Sequence, residues 1–194
     1  MIEAKPFVSG LSLEPVHKKP FLVFKNTNFL LVISGIGKAH AAMATAYCCT
    51  KFNPDMVVNI GAAGALNMFK QKGDIFQISR IIEHDRPGFQ TGQPIVYNLS
   101  TMADVNVEYA NLSTSDKAAI SIQDRKKVAI YGGELIDMEG ASIVQTCKKF
   151  NIPCHIFKYV SDSLEDFESS NIIDNIRKYR QDSFAFFMDQ VIKT

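Results

Sequence analysis

Four cysteines in 194 residues are too few, and wrongly spaced, for a disulfide scaffold or a zinc site. Cys48, Cys49, Cys147 and Cys154 lie in apolar segments without Cys-x-x-Cys spacing and read as reduced core residues. The four histidines, His17, His40, His84 and His155, are too dispersed to suggest a metal cluster, so no metal and no cofactor is expected. Charge of one sign is missing too: the formal net charge is +1, and Lys and Arg are scattered apart from Arg125-Lys126-Lys127. That argues against nucleic acid as the main partner. Long apolar runs are absent as well. Phe21–Phe24 and Phe29–Ile33 are broken by Lys25-Asn26-Thr27-Asn28, far short of the roughly 20 residues that span a bilayer. Met1–Pro6 lacks the apolar segment of a signal peptide, so a cytoplasmic location is expected and no membrane partner.

What is present is the composition of a globular protein, 46% hydrophobic and 21% charged, and one domain over residues 1–194 is the economical reading. The runs Phe21–Phe24 and Phe29–Ser34 around a polar turn read as a hairpin. An Ala-rich helix is expected from about Ala39 to Lys51, ended by Asn53-Pro54. Met56–Ile60 reads as a strand buried on both faces, running into Gly61-Ala62-Ala63-Gly64-Ala65. An extended segment from Asp74 to His84, a loop over Asp85–Gln93, a strand at Ala118–Ile122 and a short helix at Asp124–Tyr131 follow. Ser170–Lys193 carries the pattern of an amphipathic terminal helix. Strands alternating with helices predict an α/β sandwich around a largely parallel or mixed sheet.

Leu135–Ser142 places two carboxylates, Asp137 and Glu139, at the mouth of a helix whose apolar residues Ile143, Val144, Cys147 and Phe150 recur at helical spacing. Acids in a first turn are ordinary capping chemistry. The next element alters the weighing, because Ile152–Val160 has a buried-strand pattern that ends in Ser161-Asp162. Ligands of open α/β sheets bind beyond the carboxyl ends of strands, so an acid at the helix start and Asp162 at the following strand's end can converge on one pocket. Gly35-Ile36-Gly37 and Gly61-Ala62-Ala63-Gly64 each follow an apolar strand, where glycine lets backbone amides approach a ligand. Neither is a dinucleotide fingerprint or a Walker loop.

Taken as a set and in order, Ser34–Lys38, Asn53–Asp55, Asn59–Gly64, Gly73-Asp74, His84-Asp85, Asp137–Ala141 and Val160–Asp162 carry a resemblance. The chain resembles the nucleoside phosphorylase superfamily of the purine phosphorylase type, most closely its hydrolytic branch, the methylthioadenosine/S-adenosylhomocysteine nucleosidases. The resemblance implies a three-layer αβα fold around a mixed central sheet. It also implies a homodimer that cleaves an N-glycosidic bond to a purine without a metal. Asp162 is then the general acid for the purine ring nitrogen, Ser161 orients it, Glu139 holds the ribose hydroxyls and Met138 packs under the sugar. Glu3 stands where the family's glutamate activates the attacking water. Ile36, Gly61 and Ala62 in the two glycine-rich turns complete the substrate contacts, with Lys158, Ala118 and Ala119. Cleavage through an oxocarbenium-like state needs an acid for the leaving group and a carboxylate near the ribose.

The chain departs from that pattern at several points. Met1 lies only two residues before Glu3, where the family has a whole strand, so the chain is expected to lack the family's first strand and to have a loosened site, inactive if truncated there. Ala62 replaces a Ser, and Lys158 replaces an Arg whose fork a lysine does not reproduce. At Ala118 or Ala119 an aromatic partner for adenine is missing. Asn59 and Ala62 offer no phosphate site, which favours water as the nucleophile. A phosphate-dependent purine nucleoside phosphorylase and a non-catalytic nucleoside-binding relative are the alternatives.

Overall fold

The computed structural model describes residues 2–119, 121–164 and 169–192. The chain runs α1 (Lys5–Gly10), β1 (Glu14–His17), β2 (Leu22–Lys25), β3 (Leu30–Ile33), α2 (Lys38–Phe52), β4 (Val57–Ala65) and β5 (Ile75–Pro87). It continues through β6 (Pro94–Asn98), β7 (Glu108–Thr114), α3 (Ile122–Ala129), β8 (Leu135–Asp137), α4 (Gly140–Phe150), β9 (Cys154–Asp162) and α5 (Ser169–Phe186), and a π-helical turn follows at Phe187–Val191.

Two helix-to-strand units of the same design set up the centre. Helices α2 and α4 end on Asn53 (φ 43°) and Asn151 (φ 54°), whose left-handed backbone is a residue type's exception that asparagine tolerates. Pro54 and Pro153 then bar further helix, and the apolar runs that follow become β4 and β9. These strands pair in parallel from Val57↔Cys154 to Gly64↔Asp162, so their carboxyl ends lie side by side. The larger sheet is mixed, in the order β6-β5-β7-β8-β4-β9. It curls until β5 also meets β9, antiparallel, at Ile75↔Tyr159 through Gln77↔Phe157. Five strands thus close around a core that includes Ile78, Ile81, Leu112, Leu135 and Ile156.

Helices α2 and α4 cover one side through Ala41, Ile143 and Cys147. On the other side, the terminal helical segment and α1 pack Phe187 and Phe7 against Phe157 of β9. This is the expected three-layer arrangement. Strands β1, β2 and β3 form a separate antiparallel sheet, whose β2–β3 turn is closed by Asn26 Oδ1 accepting the amides of Asn28 and Phe29. Among the described residues, nothing ahead of Val57 enters the six-stranded sheet. No helix among them is long and apolar enough to cross a membrane.

Three local expectations are corrected. Ala118 and Ala119 are not in a strand, and Ile122 opens α3, because Ser121 Oγ accepts the Asp124 amide at 3.0 Å and caps a helix there; Ile120 lies outside the described residues. The segment read as a loop from Asp85 begins only at Gly88, since β5 runs on to Pro87 and pairs with β6. Gly61–Gly64, expected as a turn after the strand, stays within β4, which runs on to Ala65; Leu135–Asp137 is a short strand between β7 and β4 that leads into the helix mouth at Gly140. Lys193, expected in the last helix, lies outside the described residues.

Candidate active site

Strand β4 lies between β8 and β9, so a β9 side chain that reaches β8 must cross it. Lys158 does so. It is 2% exposed, and its Nζ stands 3.0 Å from Asp137 Oδ2. Gly61, paired with Lys158 in register, leaves the room: a Cβ there would lie 3.4 Å from Lys158 Nζ and 3.5 Å from Glu3 Oε1. Asp137 also accepts the Thr114 hydroxyl at 2.6 Å and the Gly140 amide at 2.8 Å. Burial opposes the charge of Lys158, but Asp137 and then Glu139 outweigh it and hold the ammonium above its ordinary range.

Two further carboxylates approach this lysine. Glu3 Oε1 accepts the Ala62 amide at 2.7 Å and the Tyr159 hydroxyl at 3.1 Å, which fastens the N-terminal segment across β4 and β9. Burial, reinforced by Glu3, pushes the Tyr159 phenol far up, so it serves as a fixed donor. Glu139, at the N-cap of α4, makes no capping bond with its side chain. Its Oε1 instead accepts the Gly37 amide at 2.8 Å. Gly37 has φ 95°, a conformation that glycine supplies without strain. The Gly37 turn is anchored next door by Lys38, whose Nζ lies 3.1 Å from Glu83 Oε1 and 2.8 Å from Asp85 Oδ1. Burial raises Glu139 above the usual carboxylate range, and Lys158 only partly offsets this.

Ser161 and Asp162 close β9. The Ser161 hydroxyl donates to Asp162 Oδ1 at 2.5 Å, and the buried Arg125 guanidinium donates to Oδ2. Asp162 itself is buried. Lys158 thus links Asp137, Glu139 and Glu3 beside Gly61 and Ala62, Ser161 and Asp162 form a second group with Arg125 at the end of β9, and Met138 is half-buried beside Glu139. The remaining expected contacts are Ile36, Ala118 and Ala119. Ile36 is 75% exposed, Ala118 is exposed, and Ala119 packs against Leu66, Val128 and Ile136. Arg125 and Tyr159 carry no signal in the sequence that marks them as site residues. A buried carboxyl held by a hydroxyl and a guanidinium, and a second carboxyl held by a phenol and an amide, are the kinds of group that acid–base chemistry uses. Among the described residues no group of three or more His, Cys, Asp or Glu could hold a metal ion.

The profile of the phosphorylase superfamily matches residues 10–119 and 113–193, and the chain belongs to that family. A 5'-methylthioadenosine/S-adenosylhomocysteine nucleosidase of Staphylococcus aureus (strain JH9) is 27% identical over 161 residues, 72% of this chain and 71% of that protein. In fold, the chain is similar over its whole length to a futalosine hydrolase mutant of Helicobacter pylori strain 26695, with TM-score 0.85 at 21% identity and 95% of that chain covered. It is equally similar to the H. pylori 5'-methylthioadenosine/S-adenosylhomocysteine nucleosidase solved with butyl-thio-DADMe-Immucillin-A, with TM-score 0.85, 21% identity, all of this chain and 94% of that one.

Proposed function

We propose that this chain hydrolyses the N-glycosidic bond of a purine nucleoside such as methylthioadenosine or S-adenosylhomocysteine, giving the free base and the ribose moiety. The observation that carries the reading is that the parallel pair β4 and β9 holds Glu3 on the Ala62 amide and ends in Asp162, with Glu139 on the Gly37 amide and within electrostatic reach of Lys158 of β9. Asp162 gives its proton to the purine ring nitrogen, and the electron pair of the C–N bond leaves with the base. Water adds to the anomeric carbon and passes its proton to Glu3. Glu139 accepts the ribose hydroxyls, with Met138 under the sugar and Ser161 orienting Asp162. Water is the nucleophile in this reading, because β4 at Gly61 and Ala62 holds Glu3 rather than a Ser and arginines for phosphate. Residues 1–194 act as one domain, a cytoplasmic homodimer in nucleoside catabolism and methionine salvage. Ile36, Met68 and Phe69, at least 70% exposed, support a second copy as cover.

The test is chromatography of free base after incubating the purified chain with methylthioadenosine, S-adenosylhomocysteine, adenosine and inosine. Release of base from at least one is expected, and none from any of the four would refute the reading. Glu3→Gln keeps the shape but cannot take the water's proton, so kcat should fall by about 10²-fold or more with KM little changed. Equal kcat would remove Glu3 from the mechanism. The raised Glu139 also has a pH consequence. Its carboxylate is lost as pH falls through a value above the ordinary 4.5, so KM should climb on the acid side earlier than an unperturbed glutamate allows. Glu139→Gln should raise KM by roughly 10- to 100-fold, the worth of a charge-assisted hydrogen bond, and flatten that limb. An acid limb unchanged in the variant would assign it to another group.

A further inference from the structure

Arg125 is 2% exposed, and backbone holds its guanidinium on several sides. Nε donates to the Ala119 carbonyl at 3.1 Å, and Nη1 donates to the carbonyls of Ala65 at 2.9 Å and Ser163 at 3.1 Å. These acceptors come from the segment before α3, the end of β4 and the residue after β9. The plane of the fork is therefore set independently of the carboxylate that Nη2 meets, Asp162 Oδ2. Gly64 makes way for the pair: a Cβ there would lie 2.7 Å from Asp162 Oδ2 and 3.2 Å from Arg125 Nη2. Stability alone is a poor reason for such a pair, since an apolar replacement of a buried ion pair is often as stable.

We infer that Arg125 is a positioning residue for the departing base: it fixes the Asp162 carboxyl and stabilises the carboxylate that remains once the proton has gone to the purine. The inference rests on Asp162 being the proton donor. Asp162 first takes up a proton from solvent; as that proton moves on to ring nitrogen N7 and the C–N electron pair follows the base, negative charge returns to Asp162. A guanidinium already in place meets that charge without reorganisation. The benefit falls on kcat, and only for a leaving group that needs a proton.

The test compares a purine nucleoside that the chain cleaves with its N7-methylated counterpart, whose ring already carries positive charge and needs no acid. The readout is the ratio of the two kcat values in wild type, Arg125→Met, Arg125→Lys and Asp162→Asn, with circular dichroism as the check on folding. Asp162→Asn should lower the ratio by about 10²- to 10⁴-fold. Arg125→Met should lower it by about 10²-fold, with KM for the parent nucleoside little changed, and Arg125→Lys, which keeps charge but loses the fork, by about tenfold. Should Arg125→Met fail to fold, Arg125→Lys decides. Rates on both substrates falling together in the Arg125 variants would overturn the inference and leave Arg125 a structural residue. An unchanged ratio in Asp162→Asn would overturn the underlying reading of the acid, and so would a wild-type chain that releases base from neither substrate.

Discussion

Asp162→Asn should reduce base release by about 10²- to 10⁴-fold, the range that a positioned general acid supplies. From the sequence alone the change looks conservative, since asparagine keeps the shape of the side chain. The ion pair with Arg125 alters that expectation. Both side chains are buried, and the amide leaves a buried guanidinium without its counter-charge. Removing one partner of such a pair costs about 3 kcal/mol or more. For a domain of this size that corresponds to a fall in Tm of roughly 10 °C. The variant should therefore be folded at 25 °C yet visibly less stable, and nearly inactive. Wild-type turnover would exclude Asp162 as the proton donor, while wild-type Tm would mean that the pair with Arg125 contributes nothing.

Lys158→Met should produce the largest loss of stability of any single change at the site. The ammonium is 2% exposed and faces Asp137, whose side chain is 1% exposed, with Glu139 and Glu3 also within electrostatic reach. An apolar side chain of similar length leaves Asp137 and Glu139 without their common cation, at a cost of about 3–5 kcal/mol. Tm should drop by roughly 10–15 °C. The sign of the pH dependence follows from the raised lysine. A cation whose folded pKa lies above its unfolded one stabilises fully below the unfolded value and loses its contribution only as pH rises through the folded value, here above the ordinary 10.5. Between pH 6 and 8 the deficit of the variant should therefore be nearly constant. Thermal unfolding across that range is the check, and a variant as stable as wild type would show that the carboxylates are held by their amide and hydroxyl donors alone.

Parts of this architecture can be read directly from the residues. The runs that become β4 and β9 are apolar on both faces and follow Asn-Pro or Asn-x-Pro punctuation, and such signals are local. The acids were legible for the same reason, because Glu139 and Asp162 stand where a helix begins and a strand ends. Long-range consequences were not. β8 has three residues, too few for any period to declare itself, and its place between β7 and β4 is settled by pairing. Closure of the sheet through β5 and β9 likewise has no signature in either strand.

Arg125 shows how a local signal is overlooked. Within Arg125-Lys126-Lys127 it reads as one of three surface cations. Yet Ser121 and Asp124 fix where α3 starts, and that phase puts Arg125 on the face of Val128, three residues on and also buried. The cap thus told the buried cation from the two lysines beside it. Lys158 is the converse case. Its position was noticed, but its partner Asp137 lies two strands away across Gly61, which only the fold reveals.

Hydrolysis is the central claim, and the most direct test is base release by the purified chain in phosphate-free buffer and again with phosphate, with the sugar product identified by mass. The account predicts the same rate in both and an unphosphorylated ribose product. Release that requires phosphate, with a sugar 1-phosphate as product, would contradict it.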